Sequence, residues 1–211
     1  GFALGICSGF SIMIAQRFGA GDYSGMRKFI ANSIYLCIAV AVILTAVTML
    51  LTKPILTVMN TPKEIYDYAY NYIIIIFAGI SATMFYNILS GILRAVGDSR
   101  TPLIFLGVSS VLNVGLDLLC IIVFKGVAGA GIATVISQAI SAFLCLIYIR
   151  KNYDILRFEH DEFKFEAHRA KRLVSVGIPM ALQFSITAIG SIILQSAVNS
   201  LGTASVASVT A

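Results

Sequence analysis

Charge is what this sequence has least of. Only 12% of its 211 residues are Asp, Glu, Lys or Arg, about half the ~25% of an ordinary soluble domain. Hydrophobic residues make up 58%, against roughly 45–50% in such a domain. A soluble fold of this length cannot hide that much apolar surface, because its helices and strands must also present polar faces to water. The scarcity is uneven. Residues 30–51, 70–93, 127–149 and 173–201 hold no charged side chain, and 103–124 holds one acid, Asp117. Each run has 22 residues or more, and about 20 helical residues cross the hydrocarbon core of a bilayer. The expected fold is all-α, a polytopic transmembrane helix bundle of about six spans.

Other absences narrow the reading. A further uncharged run, residues 2–16, is short and has no initiator Met before it. It lacks the basic start and small-residue cleavage site of a signal peptide, so it is expected to be a helix whose beginning lies upstream. Residues 203–211 likewise begin an apolar segment that does not finish. Cys7, Cys37, Cys120 and Cys145 lie in apolar spans without CxxC spacing, and are expected to pack as small hydrophobes. No disulfide framework, metal cluster or organic cofactor is expected from them. The glycine-rich stretch 126–131 lacks the βαβ context of a phosphate-binding loop and reads as a tight turn between spans.

The net charge of +5 acquires meaning once placed by side. If spans alternate, the connections 17–29, 94–102 and 150–172 share one face and carry twelve of the fifteen Lys and Arg residues. The opposite connections carry Lys53, Lys63 and Lys125. The positive-inside rule places the basic face in the cytoplasm, and a role with nucleic acid does not follow. Helix punctuation agrees: Thr61, Pro62 and Glu64 form a capping-box pattern opening one span, and Thr101 and Pro102 open the next. Tyr66, Tyr68, Tyr70 and Tyr72 suit the outer interface, where rings with a polar tip are favoured. The long stretch 150–172 has room for a short interfacial helix, and its His160 and His168 read as solvated.

Asp117 is the one acid deep in a span. A carboxylate at membrane depth is costly unless paired, hydrated or protonated, and such residues mark ion or proton pathways. It lies seven residues before Phe124, roughly 10 Å inside the boundary by helical rise. Ser110, Asn113 and Asp117 share a helix face. Thr134, Ser137, Gln138 and Ser141 form a polar face on the next span, with Thr134 at about the depth of Asp117. The short turn makes these helices antiparallel neighbours, so carboxylate, amide and hydroxyl are expected to converge. An all-oxygen set suits a hard cation such as Na⁺, and the same carboxylate can take up H⁺ instead. The bland alternative is that Asn113 and Thr134 only bond helices together. A third polar line, Gln183, Thr187, Ser191, Gln195 and Asn199, runs along the last complete span above Pro179, which is expected to kink it. It lines either a cavity or a helix contact. Gly1, Gly5 and Gly9 repeat at the spacing of close helix approach.

Four stretches carry a family resemblance: IAQRFGAGD at 14–22, SGILRAVGDSRTP at 90–102, GVAGAGIAT at 126–134 and GIPMALQ at 177–183. In this order they resemble, respectively, the end of helix two, the helix four–five connection and the starts of helices six and seven of multidrug and toxic compound extrusion (MATE) transporters. The resemblance implies twelve helices in two lobes. Residues 1–149 would be helices two to six of the N-terminal lobe, 150–172 a cytoplasmic inter-lobe linker, and 173–211 helix seven and the beginning of helix eight. The implied activity is export of organic, often cationic, compounds in exchange for H⁺ or Na⁺ by a plasma-membrane monomer. In one branch of the family a cation site lies in the N-terminal lobe; its helix-five Asn and Asp match Asn113 and Asp117, and its helix-six Thr matches Thr134. A helix-four Asn of that site corresponds to Asn87 or is displaced in favour of Ser90. Gln138, Gln183 and Thr187 are further candidates for lining the cavity. Another branch uses a carboxylate on helix seven, and residues 173–201 contain none.

Rival functions fare worse on the same residues. A flippase of lipid-linked oligosaccharide, the alternative from related transporter families, would be expected to carry buried Arg or Lys for pyrophosphate, and no base lies inside these spans. An intramembrane aspartyl protease would need two carboxylates across one water. The GxGD-like acid, Asp22, sits at the cytoplasmic surface and Asp117 in the outer half, roughly 20 Å apart in depth. No enzymatic activity is expected.

Overall fold

The computed structural model describes residues 1–58, 66–124, 128–159 and 161–200. It consists of α1 (Phe2–Gly19), α2 (Tyr23–Val58), α3 (Tyr66–Ala78), α4 (Ile80–Ala95), α5 (Arg100–Phe124), α6 (Ala128–Asn152) and α7 (Ala167–Ser200), with a 3-10 turn at Asp154–Leu156. Five helices are long and apolar enough to cross a membrane, and α3 with α4, bent by 41° at their junction, pass the same test only when taken together. The chain is therefore an all-helical, multi-pass membrane protein. The capping-box residues Thr61 to Glu64 and the turn at 125–127 lie outside the described residues.

Two connections expected as loops contract to tight turns, because their basic residues sit on helix ends. After α1, Gly21 adopts φ 71°. Its N–H donates to the Phe18 carbonyl and that of Asp22 to the Arg17 carbonyl, both at 3.0 Å. The Asp22 carboxylate then accepts from the Gly25 N–H at 2.8 Å, capping α2. After α4 the chain repeats the device: Gly97 at φ 93°, Asp98 N–H to the Leu93 carbonyl at 2.9 Å, and the Asp98 carboxylate accepting from the Thr101 N–H at 3.0 Å. This wrap satisfies the last helical carbonyls and needs a left-handed residue, which glycine supplies.

The apolar run 70–93, expected as one span, is bent at Gly79. A Cβ there would collide with the Val135 side chain of α6, so α3 and α4 bend where the backbone closes on its neighbour. α7, by contrast, runs as one helix through Pro179.

At the centre is α1, packed against α2, α4 and α7. Gly5, Ile6, Cys7, Gly9, Phe10, Met13 and Ile14 are buried. A Cβ on Gly9 would lie 2.6 Å from the Gly177 Cα, and one on Gly5 closer still to the Ala181 Cα. Here two backbones touch. All four cysteines are free and buried, and the Cys7 thiol lies 3.8 Å from the Met84 carbonyl.

The segment joining α6 to α7, which has room for a short interfacial helix, contains a single 3-10 turn among its described residues, and it is stitched to α2. Arg27 reaches Glu162, Glu159 at 3.3 Å and the Ile155 carbonyl at 3.2 Å. Asn32 accepts from the Glu166 N–H at 2.8 Å and donates to the Lys164 carbonyl at 3.3 Å. Tyr153 donates to Asp98 at 2.9 Å. The three basic connections therefore meet at one end of the bundle. The Arg27 guanidinium, outweighing burial, holds the Glu162 carboxyl down to about 2. Burial pushes Asp98 up, but the Thr101 N–H and the hydroxyls of Thr101 and Tyr153 outweigh it and leave it lowered. Burial and then the bond to Asp98 push Tyr153 up to about 12.

Two outcomes follow from these contacts. Gly5→Ala will destabilise the protein by about 1–3 kcal/mol through overpacking, while Gly107→Ala, with nothing within 4 Å, will leave thermal unfolding in detergent nearly unchanged. Glu162 binds its proton less tightly folded than unfolded, so its contribution is complete above about pH 4.5 and drains as pH falls towards 2. Unfolding temperatures measured across that window will fall in the parent, and Glu162→Gln will flatten that dependence while lowering stability at neutral pH.

Candidate functional site

The polar faces of α5 and α6 meet. Their approach is set by Gly129, where a Cβ would lie 2.9 Å from the carbonyl of Cys120, one turn beyond Asp117. The Asn113 Nδ2 donates across the helix pair to the Thr134 Oγ1 at 3.3 Å. Thr134 in turn donates to the Ala130 carbonyl at 3.0 Å. Ser137 and Ser141 donate to the Thr134 and Ser137 carbonyls at 2.9 and 3.0 Å. These bonds fix the hydroxyls of α6 and leave the Asn113 Oδ1 without a donor among the described residues.

Asp117 is half-buried, and its Oδ1 is enclosed with no hydrogen-bond partner among the described residues. The Gln138 Oε1 on α6 is in the same condition. Both are acceptors. What such atoms lack is a donor or a cation, because an enclosed oxygen without either costs free energy. The donor set present is one carboxylate with neutral amide and hydroxyl oxygens, which fits a hard monovalent cation or a proton. No group of three His, Cys, Asp or Glu capable of holding a metal occurs among the described residues.

The remaining expected residues spread out. Ser110 lies on the exposed side of α5 and bonds only the Leu106 carbonyl at 3.0 Å. Asn87 is half-buried on α4 and donates to the Thr83 carbonyl at 2.7 Å. Ser90 is buried and accepts from Arg94 at 3.0 Å. Neither has a bond to Asp117. Gln183 and Thr187 are exposed along α7, Thr187 bonded to the Gln183 carbonyl at 3.0 Å. The side chains of Gln195 and Asn199 lie outside the described residues, as does His160, while His168 is exposed. Sequence reasoning passed over Thr45, whose Oγ1 on α2 is also enclosed without a partner. A mid-helix threonine ordinarily bonds the carbonyl four residues back, as Thr48 does to Leu44 at 2.7 Å, so no signal in the sequence set Thr45 apart. It equally passed over Gly79 and Gly129, which bring the neighbouring helices onto α6.

A bundle of at least five apolar spans, with an enclosed carboxylate oxygen on one and a polar bond to the next, defines a class, polytopic membrane proteins of the transporter type. Comparison narrows it: residues 1–119 match the MatE family model, and the chain belongs to that family. It is 33% identical over 203 residues, 95% of this chain and 45% of the relative, to a probable multidrug resistance protein, YpnP, of Bacillus subtilis. Among solved structures it is similar to an outward-facing multidrug resistance MATE family transporter (TM-score 0.83, 26% identity, 92% of this chain, 44% of that one). It is similar also to an inward-facing one (TM-score 0.78, 27% identity, 86% and 42%). The chain spans about half the length of the relatives it matches.

The α5–α6 pairing has a direct check. In a background without the four native cysteines, the pair Asn113→Cys and Thr134→Cys will cross-link on mild oxidation. Ser110→Cys with Thr134→Cys will not, and mobility on non-reducing gels distinguishes the two.

Proposed function

We propose that the intact protein is a secondary antiporter of the plasma membrane, exporting organic, often cationic, compounds in exchange for H⁺ or Na⁺. The observation that carries the reading is the enclosed Oδ1 of Asp117, which has no donor among the described residues, beside the Asn113–Thr134 bond. A carboxylate in a span is costly unless paired, hydrated or protonated, so filling and emptying this site can be coupled to a change in the packing around it. Asp117 is the coupling group in this reading, with Asn113 and Thr134 supplying neutral oxygens. The similarity to relatives described as inward-facing and as outward-facing supports alternating access, with residues 1–149 and those after 172 in opposing lobes. Gln138, Gln183 and Thr187, with Asn87 or Ser90, are assigned to the walls of the substrate path. The protein works as a monomer with a small organic molecule and the bilayer as its partners, and no organic cofactor enters the cycle.

The test is efflux from proteoliposomes holding the intact protein. Asp117→Asn is expected to reduce cation-driven efflux of a fluorescent organic cation to the passive leak, and unchanged efflux would refute the coupling role. Thr134→Val will separate the ions, weakening efflux driven by a Na⁺ gradient while sparing efflux driven by a pH gradient.

A further inference from the structure

A cavity of about 700 Å³ lies away from Asp117, at the basic end of the bundle. Ile30, Ile34, Leu89, Ile92, Leu146 and Ile149 from α2, α4 and α6 form its walls. Its charged lining is confined to Arg150 and Arg157. Arg150 is exposed and has no ion pair among the described residues, and Arg157 meets only Asp154, at 3.0 Å, with both side chains largely in solvent. A second cavity of about 230 Å³ begins at the shared residue Ile34 and continues between α2 and α4 past Cys37, Met84 and Phe85 to Val42 and Ser81. From Ile30 to Val42 the groove extends about 18 Å by helical rise, a little over half of a ~30 Å hydrocarbon core. At its basic end Phe158 and Phe163 meet edge to face at 5.0 Å and Phe163 meets Tyr35 at 5.3 Å, and Tyr35 is of the ring type that settles at headgroup level.

The shape is long and apolar, one leaflet deep, with two cations at one mouth only. From this charge complementarity and depth we infer that the α2–α4–α6 groove is a binding site for an anionic glycerophospholipid of the cytoplasmic leaflet. Arg150 and Arg157 take its phosphate and an acyl chain lies along Ile34, Leu89 and Met84. The anionic surface of that leaflet supplies such lipids where these arginines lie. Because the groove also contacts the α6–α7 segment through Leu156 and Phe163, an occupied groove braces that segment against α2 and α4.

Native mass spectrometry of the intact protein, released from nanodiscs of phosphatidylcholine mixed with phosphatidylglycerol, tests the site. Retained phosphatidylglycerol is expected to exceed retained phosphatidylcholine. Arg150→Ala and Arg157→Ala will each lower that excess about fivefold, on ~1 kcal/mol per basic contact. Ser81→Phe, which plugs the deep end and leaves both arginines, will lower it as well, with thermal unfolding showing that each variant is folded. The inference is overturned if the two lipids are retained equally, or if the double arginine variant keeps its phosphatidylglycerol. It is also overturned if inorganic phosphate alone displaces the lipid, which marks a free-anion site. Failure of Ser81→Cys to react with a membrane-permeant maleimide in lipid-depleted micelles would show that another part of the protein fills the groove, and would refute it too.

Discussion

Between two helices in a bilayer, hiding an apolar side chain gains little, because lipid tails are as apolar as leucine. Attraction must come from close fit and from the few polar bonds available. The rest of this bundle depends on that constraint, and it is met by removing side chains. Gly5 and Gly9 let α1 touch the backbone of α7, Gly79 lets the α3–α4 bend close on Val135, and Gly129 brings α6 against Cys120. A Cβ at any of these positions would separate a pair of helices by a distance that dispersion, falling steeply with separation, does not bridge.

The group of polar side chains around Asp117 inherits its geometry from this packing. Asn113 reaches Thr134 because Gly129 fixes the spacing of α5 and α6 further along the pair. The bend at Gly79 places Val135, the neighbour of Thr134, against the next span. The chemistry of the site is thus a small number of oxygens held at the places where backbones are closest. Apolar side chains such as Val114 and Leu118 cover other faces of the same helix and are exposed. At the opposite, basic end the rule changes: water is present, and charged groups such as Arg27, Glu162 and Asp98 do the joining.

Much of this was legible from residues alone. Long uncharged runs identify spans because charge is excluded from hydrocarbon, and the bias of Lys and Arg groups 17–29, 94–102 and 150–172, which the structure brings to one end. The i, i+4 spacing of Asn113 and Asp117 with the short turn before Thr134 placed three groups on facing helices, and the Asn113–Thr134 bond is found there. What the sequence concealed is tertiary. A glycine in an apolar run reads the same whether nothing lies near its missing Cβ, as at Gly107, or a neighbour's backbone does, as at Gly129. The break at Gly79 and the pairing of Arg27 with Glu162, 135 residues away, depend on which helices become neighbours, and periodicity within one helix carries no such information. Ser110, placed with Asn113 by helical spacing, is exposed and bonds only within its own helix.

The turn built twice, at Gly21-Asp22 and Gly97-Asp98, bears on how the chain enters the membrane. Each turn ends one helix and caps the next within a few residues, so neither pair has slack between its two members. α1 with α2 is therefore suited to leave the insertion machinery as a closed hairpin, while α4 and α5 splay apart from their turn and α5 packs on α6 instead. The charges at each bend, Arg17 and Asp22 at one and Arg94 and Asp98 at the other, then remain behind together. Sidedness is in this way written into two short turns, ahead of any contact between spans that are distant in the sequence.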